Sequence, residues 1–180
     1  MLCRALLNCF EYTAETVRMQ VCVVDHAESL VQPFDNSHSI NWLLGHIVSA
    51  RTTPLTLLGA ENVWSDECRA RYRHGSSPVG FQDESALQFE ELVSLFNETQ
   101  CRFQASLGAM DDGALLKPSG YGKNSVFDSL LYFHFHESYH VGQMTMIAEA
   151  LGKPAAYLAS ATSQDSSKQI ETGSGISPYD

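Results

Sequence analysis

Apolar residues recur at intervals of three and four along four long stretches of the chain, and this spacing predicts amphipathic α-helices. The first predicted helix spans residues 5–30, and its apolar stripe consists of Leu6, Leu7, Phe10, Ala14, Val17, Val21, Val24 and Leu30. The second follows a capping serine, Ser37 or Ser39, and its inward residues are Ile40, Leu43, Leu44, Ile47 and Val48. Pro54 kinks this helix or ends it shortly before, and Gly59 is its latest stop.

Two further helices follow a long connection. Residues 59–83 lack periodicity and are predicted to form a surface connection with a short helical piece around residues 66–72. Asp83 is predicted to cap the third long helix, which ends at Gly108 and repeats the apolar residues Leu87, Leu92, Leu95, Phe96, Phe103 and Leu107. The fourth starts with a capping box of Ser125 and Asp128, and it stops at Gly152 and Pro154.

These elements predict an all-α fold, a four-helix bundle, because no convincing alternating strand accompanies the four amphipathic helices. The long crossover between the second and third helices is long enough to span the bundle, so these two helices can run parallel. Residues 1–158 are predicted to form this single domain. Residues 159–180, rich in serine and glycine, are predicted to form a flexible C-terminal tail.

Composition and charge narrow the classes of function. The formal net charge is −10 and no run of like charge occurs, which argues against nucleic acid as a partner. The five cysteines include no C-x-x-C pair, so we expect reduced thiols instead of disulfides or a cysteine zinc site. No stretch has the length of a membrane span or the pattern of a signal peptide. We therefore expect a cytoplasmic protein without a membrane partner.

The candidate chemistry lies in HFHESYH, residues 134–140, which holds three of the seven histidines. Successive residues of an α-helix are rotated by about 100°, so residues four apart share a face. His136 and His140 therefore form a pair, while His134 lies on the opposite side and is predicted not to join them. Because a transition-metal ion takes three or four ligands, a third ligand must come from another helix.

His46 is the best candidate for that ligand, because it lies among the inward residues of the second helix. Gly45 beside it would let a neighbouring backbone approach closely. His26, His38 and His74 lie near helix ends or in loops and are predicted to be exposed to solvent. The spacing alone leaves two interpretations open: a three-histidine metal site, or histidines that are hydrogen-bonded within the core.

Two segments of the chain resemble motifs of the DinB-like superfamily, which comprises damage-inducible and metal-dependent-hydrolase-like four-helix bundles. Residues 136–143, HESYHVGQ, resemble the pattern H-E-x-Y-H-x-G-Q of that family, and residues 39–46, SINWLLGH, resemble its ligand segment on the second helix. LGKP at residues 151–154 resembles the close of its last core helix. The resemblance covers roughly residues 5–155.

This resemblance implies an up-down-down-up bundle with a metal centre formed by His46, His136 and His140. It implies zinc or nickel as the divalent ion, and a homodimer as a common assembly. It also implies a small-molecule substrate, since relatives of known activity include transferases and isomerases that use low-molecular-weight thiols.

The first of three hypotheses for the function is a metal-dependent transferase or hydrolase that acts on a small molecule. The ion would lower the pKa of a bound water or thiol, and a low-molecular-weight thiol cosubstrate would attack an electrophile as the thiolate. Trp42 and Gln143 are the predicted substrate-binding residues, because both can border the open position of the ion. Ordinary packing or support of the ligands explains each of the two equally well. No catalytic residue is assigned.

The other two hypotheses are a zinc protease and a non-enzymatic dimeric bundle with a structural metal. In the protease, HESYH serves as an H-E-x-x-H motif in which Glu137 activates water; outside that scheme Glu137 is predicted to lie on the helix surface or to support the ligands. The downstream third ligand of such proteases is missing, because residue 146 is methionine and Glu149 lies about half a turn from His140. A structural metal needs a fourth protein ligand that the sequence does not offer.

Overall fold

The computed structural model describes residues 1–120 and 124–154, and within these ranges the chain folds into helices and connecting loops without a strand. In chain order the helices of this described part are α1 (Leu2–Val21), α2 (His26–Ser29), α3 (Ile40–Leu57), α4 (Asp66–Tyr72), α5 (Phe89–Gly108), α6 (Asp112–Leu115) and α7 (Val126–Ala150). The predicted all-α class is confirmed. The predicted tail, residues 159–180, and the last four residues of the predicted domain lie outside the described ranges.

The first predicted helix, residues 5–30, is wrong as a single element. α1 ends at Val21, and Asp25 then starts α2 in a capping box with Glu28. The apolar stripe nevertheless continues past the break, since Val24 and Leu30 are both buried. Periodicity therefore could not reveal the break, whereas the spacing of Asp25 and Glu28 could have done so.

α3 begins after one of the two predicted capping serines and ends before Gly59, its latest predicted stop. Ser39 is the cap, because its hydroxyl accepts a hydrogen bond from the backbone N–H of Trp42 at 3.3 Å. Pro54 lies inside the helix, which continues to Leu57, so the interpretation that the helix stops before Pro54 is wrong. From residue 40 to residue 49 every side of α3 is buried. Polar side chains in this stretch must therefore find partners within the protein.

α5 starts later than predicted, because the residues before it are held by other parts of the fold. The backbone N–H of Leu87 donates to the hydroxyl of Tyr72 at 2.8 Å, and its carbonyl accepts from the side-chain amide of Asn41 at 3.0 Å. With both backbone groups bound outside the helix, α5 begins at Phe89, and the prediction that Asp83 caps this helix is wrong.

α7 begins and ends as predicted. Ser125 and Asp128 form the capping box, in which each side chain accepts a hydrogen bond from the backbone N–H of the other residue. Past its end, Gly152 adopts a positive φ of 76°, the left-handed conformation that commonly follows a helix. Both ends of this 25-residue helix are thus defined by the local residues that the sequence predicted.

Hydrogen bonds between the long helices show how these helices run. α1 and α7 run in the same direction, as shown by the pairs Thr13–Glu137 and Gln20–Val141. α3 and the segment that leads into α5 also run in the same direction, as shown by Asn41–Leu87 and Arg51–Thr99. α1 and α5 run in opposite directions, as shown by Glu11–Gln100 and Arg18–Asn97. These directions fit an up-down-down-up order of the long helices.

The arrangement places α3 against both α5 and α7, and α1 against the same two helices. The core therefore lies between all four long helices, and α4 covers a further side of α3. The candidate residues of the second and fourth predicted helices thus meet where α3 packs on α7. None of the helices in the described ranges is long and apolar enough to cross a membrane.

Candidate metal centre

His46 of α3 and the pair His136 and His140 of α7 bring three imidazole rings together. Nε2 of His136 lies 3.3 Å from Nε2 of His46 and 3.2 Å from Nε2 of His140. One ligand nitrogen from each residue lies within 4.8 Å of the other two. Among the described residues, no other group of three or more histidine, cysteine, aspartate or glutamate side chains lies close enough together to share one ion.

Hydrogen bonds on the far side of two of these rings fix their orientation. Nδ1 of His46 lies 2.8 Å from the backbone carbonyl oxygen of Tyr72, and Nδ1 of His140 lies 2.7 Å from Oε1 of Gln143. Both partner oxygens only accept, so each Nδ1 carries the hydrogen and donates it. The Nε2 atoms of His46 and His140 are therefore left with lone pairs that point towards His136, as in metal-ligating histidines.

The donor set fits a divalent ion. The single N–H that His136 can offer at Nε2 satisfies only one of the two facing lone pairs, whereas a cation satisfies all three nitrogens at once. Around a tetrahedral zinc ion, nitrogen ligands at about 2.0–2.1 Å from the metal lie about 3.3 Å from each other. The two Nε2 separations that involve His136, 3.3 and 3.2 Å, match this spacing, and the ligand nitrogens of His46 and His140 lie within 4.8 Å of each other.

The charge state of the three imidazoles also suits a metal ligand. The pKa of His46 and of His140 is lowered to about 4, chiefly by burial and also by the neighbouring imidazoles, while the hydrogen bonds to Tyr72 and Gln143 act in the opposite direction. Burial likewise lowers the pKa of His136. The rings are thus neutral at pH 7, which is the form in which histidine binds metal.

Trp42 holds one ligand ring from the side. Its indole stacks on the imidazole of His46 with ring centroids 4.7 Å apart and on that of His38 with centroids 3.5 Å apart, both at 9° between the planes. The indole N–H donates to the hydroxyl of Ser76 at 3.0 Å. Trp42 is buried, so it contacts the three-histidine cluster from the interior of the protein.

Two of the three histidines predicted to be exposed are half-buried, so that prediction is wrong for them. His38 stacks on Trp42, and His26 accepts a hydrogen bond at Nδ1 from the backbone N–H of Phe89 at 3.2 Å. His74 is exposed, as predicted. The error arises because each ring is covered by another residue: His26 by the start of α5, which is distant in sequence, and His38 by Trp42, four residues later.

Gly45 is needed beside His46 for a reason that differs from the prediction. A Cβ at this position would lie 2.2–2.6 Å from atoms of the Tyr72 ring, so the close neighbour is an aromatic side chain and not a backbone. The same tyrosine supplies the carbonyl that accepts from Nδ1 of His46. The absence of a side chain at Gly45 thus lets Tyr72 pack closely enough for its carbonyl to accept the hydrogen bond from Nδ1 of His46.

His134 lies apart from the three-histidine cluster. Its Nε2 is 3.1 Å from the backbone carbonyl of Cys9, and its ring meets that of Phe10 edge-on at 5.3 Å between centroids. These contacts are with α1, on another side of α7 from His46. The prediction that His134 does not join the pair is confirmed by this geometry.

Glu137 is buried and paired with an arginine, so the prediction of a surface carboxylate is wrong. Nε and Nη2 of Arg51 donate to its two carboxylate oxygens at 2.8 and 2.7 Å, and the hydroxyl of Thr13 donates to Oε1 at 2.9 Å. Sequence reasoning missed Arg51. The available signal was a charged residue that continues the inward face of α3, four positions after Ile47.

The family model of the DinB superfamily matches residues 11–144, a span that includes all three histidines of the cluster and covers most of the chain. The chain belongs to the DinB superfamily. The resemblance carried by the HESYHVGQ and SINWLLGH segments is thereby confirmed. Members of the DinB superfamily bind metal ions, and the His46–His136–His140 cluster has the geometry to hold one. A search of curated proteins finds no match to the chain.

Proposed function

We propose that this DinB-superfamily chain is a metal-dependent transferase or hydrolase that acts on a small molecule, with a low-molecular-weight thiol as cosubstrate in the transferase case. The observation that carries the proposal is the convergence of three imidazoles: Nε2 of His136 lies 3.3 Å from Nε2 of His46 and 3.2 Å from Nε2 of His140, and one ligand nitrogen from each residue lies within 4.8 Å of the other two. No fourth ligand side chain joins them in the described part of the chain. Three protein ligands plus an open position are typical of catalytic sites, and four are typical of structural sites.

The residues of the chain prepare this site before any substrate arrives. Tyr72 and Gln143 orient two of the rings through Nδ1, and burial keeps all three rings neutral. A divalent ion held by three neutral imidazoles keeps its full charge and lowers the pKa of a water or thiol at its open position. We propose zinc or nickel as this ion, because imidazole suits both.

Of the two predicted substrate-binding residues, we propose that Gln143 contacts the substrate and that Trp42 positions the site from behind. The amide of Gln143 reaches from His140 towards Tyr139, whose hydroxyl lies 3.4 Å from Nε2 of Gln143. This amide can therefore support His140 through its oxygen and still offer its nitrogen to a substrate. Trp42 is buried, so in this proposal it acts through the stacked rings of His38 and His46.

A zinc protease is disfavoured by the surroundings of Glu137. In the H-E-x-x-H scheme this carboxylate must take a proton from water at the metal. Here both of its oxygens accept hydrogen bonds from Arg51 in the core, and Thr13 adds a third. Three of the roughly four acceptor positions of the carboxylate are thus occupied within the core, and its charge is paired with Arg51 instead of being directed at the metal centre.

Replacement of His140 by alanine tests the proposal when three properties are followed together: metal content, melting temperature, and turnover of a thiol with an electrophile. We expect this variant to lose metal and turnover but to remain folded. His134→Ala is the matched control, since His134 lies on the same helix and should leave metal and turnover unchanged. Collapse of the fold in His140→Ala would favour a structural metal, and cleavage of casein by the wild type would favour a protease.

We further propose that the chain forms a homodimer through the outer face of α7. Leu131, Tyr132, Phe135 and Tyr139 lie on this face and are between 46% and 67% exposed. Gly142 is exposed on the same face, and a Cβ there would meet no atom within 4 Å. Two copies of α7 packed antiparallel can set Phe135 of each over Gly142 of the other, which is the self-complementarity that a two-fold interface requires.

Sedimentation of a Phe135→Glu variant tests this assembly. We expect the wild type to sediment as a dimer and the variant as a monomer, because the charge would be buried at the centre of the interface. Phe81→Glu is the control, since Phe81 is 65% exposed and lies in the connection between α4 and α5. A wild type that is monomeric at every concentration would refute the dimer.

A further inference from the structure

An apolar groove lies between the loop of residues 33–38 and the C-terminal half of α7. Its volume is about 410 Å³, which falls within the range of small-molecule sites. The apolar part of its wall consists of Pro33, Phe34, Leu43, Met146, Ile147 and Ala150. None of the described residues that line it carries a carboxylate, ammonium or guanidinium group. The groove is therefore suited to uncharged, apolar matter.

Two residues that line the groove, His38 and Gln143, also belong to the surroundings of the metal centre. Gln143 accepts the hydrogen bond from Nδ1 of His140, and His38 stacks on Trp42, which in turn stacks on His46. Gln143 thus contacts a histidine of the cluster directly, and His38 is linked to the cluster through Trp42. A molecule that fills the groove can reach towards the cluster past Gln143.

We propose that this groove binds the apolar part of the substrate, an alkyl chain or an aromatic ring, while the reacting group of the substrate lies at the histidine cluster. The proposal rests on the proposed function, and it adds the substrate class: a small molecule with an uncharged apolar arm. None of the described lining residues is charged, so an anionic or cationic arm would be desolvated in the groove without a partner among them.

Ala150 offers a way to fill the groove without disturbing the core. It is exposed at the last position of α7, so a larger side chain there need not displace buried residues. Ala150→Trp occupies groove volume, and Glu149→Trp adds the same ring at the neighbouring exposed position, which does not line the groove. Phe34→Ser removes part of the wall, and Phe81→Ser removes a phenylalanine that does not line the groove and is 65% exposed, against 74% for Phe34.

The first measurement uses the metal-free full chain and the neutral dye N-phenyl-1-naphthylamine, followed by the dye's own emission. We expect the dye to bind the wild type and the Glu149→Trp and Phe81→Ser controls alike. Ala150→Trp and Phe34→Ser should each weaken binding at least tenfold. Equal binding to all of the variants would overturn the proposal. A loss of dimer in Ala150→Trp but not in Glu149→Trp would also overturn it, because a second copy would then cover the groove.

The second measurement joins the groove to the metal centre. Straight-chain alkanethiols of increasing length are titrated into the cobalt-loaded protein, and the thiolate-to-metal absorption band reports binding. Beyond the carbons that pass Gln143, each added methylene should tighten binding about fourfold, the factor expected for burial of a CH₂ group. Ala150→Trp should abolish this gain and leave the shortest thiol unaffected.

The outcomes separate the groove from the proposed function. Affinity that does not depend on chain length would overturn the groove as a substrate site. Failure of every thiol to give the band, with dye binding intact and sensitive to Ala150→Trp, would refute the thiol transferase in the proposed function and leave an apolar ligand site. Both results can be read from the same set of purified proteins.

Discussion

The guanidinium of Arg51 and the carboxylate of Glu137 form a two-point ion pair in the core, with Nε–Oε2 and Nη2–Oε1 distances of 2.8 and 2.7 Å. Both side chains are at most 4% exposed. Nη1 of Arg51 donates to the hydroxyl of Thr99 at 2.9 Å, and its guanidinium lies over the ring of Phe96. The pair therefore ties α3 to α7, the two helices that supply the three histidines, and links both to α5.

Glu137→Gln should lower the free energy of unfolding by about 3–5 kcal/mol, because the charge of Arg51 would remain buried without its partner. Urea unfolding of the metal-free protein measures this loss. In a protease the same change would instead remove activity and leave stability nearly intact. Glu98→Gln is the control: its ion pair with Arg102 is exposed, so we expect a loss below about 1 kcal/mol.

A double variant, Arg51→Met with Glu137→Leu, should recover most of the stability that Glu137→Gln loses, since no unpaired charge is left in the core. A double variant as unstable as the single one would mean that the ion pair is not the source of the loss.

Gln143→Leu should weaken metal binding about 10- to 100-fold, because the acceptor that orients His140 is lost while the ligands themselves remain. Competition with a chromophoric chelator measures the affinity. Gln82→Leu, in a loop away from the cluster, should leave it unchanged. If Gln143→Leu binds metal as tightly as the wild type, the hydrogen bond to His140 has no role in the site.

The stability of the metal-free protein should depend on pH through His46 and His140. An unfolded histidine titrates near about 6.5, whereas burial lowers the pKa of both residues to about 4 in the folded chain. Between these values the unfolded chain binds more protons, so the free energy of unfolding falls as the pH is lowered through this window. Below the lower value these two groups contribute no further change.

The variant with alanine at both positions serves as the comparison for this pH dependence. Urea unfolding at several pH values between 4 and 7 should give a shallower decline for the variant than for the wild type. Identical slopes would show that the two imidazoles are not kept neutral by burial.

Gly45→Ala and Gly142→Ala should have opposite effects on stability. At position 45 a methyl group would clash with the Tyr72 ring, and overpacking of this kind costs about 1–3 kcal/mol. At position 142 it would meet nothing within 4 Å in its own chain, so in the Phe135→Glu background, which removes the proposed dimer contact, alanine inside the helix should gain about 0.5–1 kcal/mol over glycine. Thermal unfolding of both variants gives the comparison, and a Gly45→Ala variant as stable as the wild type would refute the clash.

Gly45→Ala should also weaken metal binding, because a shifted Tyr72 no longer holds its carbonyl at Nδ1 of His46. Gly142→Ala provides the matched control for affinity. Loss of stability without loss of metal affinity would separate the packing of Tyr72 from its role in orienting His46.

The histidine cluster could be predicted from sequence because helical periodicity fixes which residues share a face. His136 and His140 are four residues apart, and His46 lies on an unmistakably inward stretch of α3. The long helices could be predicted for the same reason. The break between α1 and α2 could not, because Val24 and Leu30 continue the apolar stripe across it.

The partners of the buried polar residues could not be predicted, because they come from helices that are distant in sequence. Nothing local to Glu137 shows that it faces Arg51, 86 residues earlier, although its neighbour His136 faces the cluster. The start of α5 depends in the same way on Tyr72 and Asn41, which bind the backbone of Leu87. These contacts exist only once the bundle is assembled.

The most direct test of the central claim is the metal stoichiometry of purified protein, measured by mass spectrometry for the wild type and for single alanine variants of the four relevant histidines. We expect one ion per chain in the wild type and in His134→Ala. We expect none in His46→Ala, His136→Ala or His140→Ala, with all variants folded by circular dichroism. Full metal occupancy in folded His46→Ala would contradict the account, because it would show that the ion does not join α3 to α7.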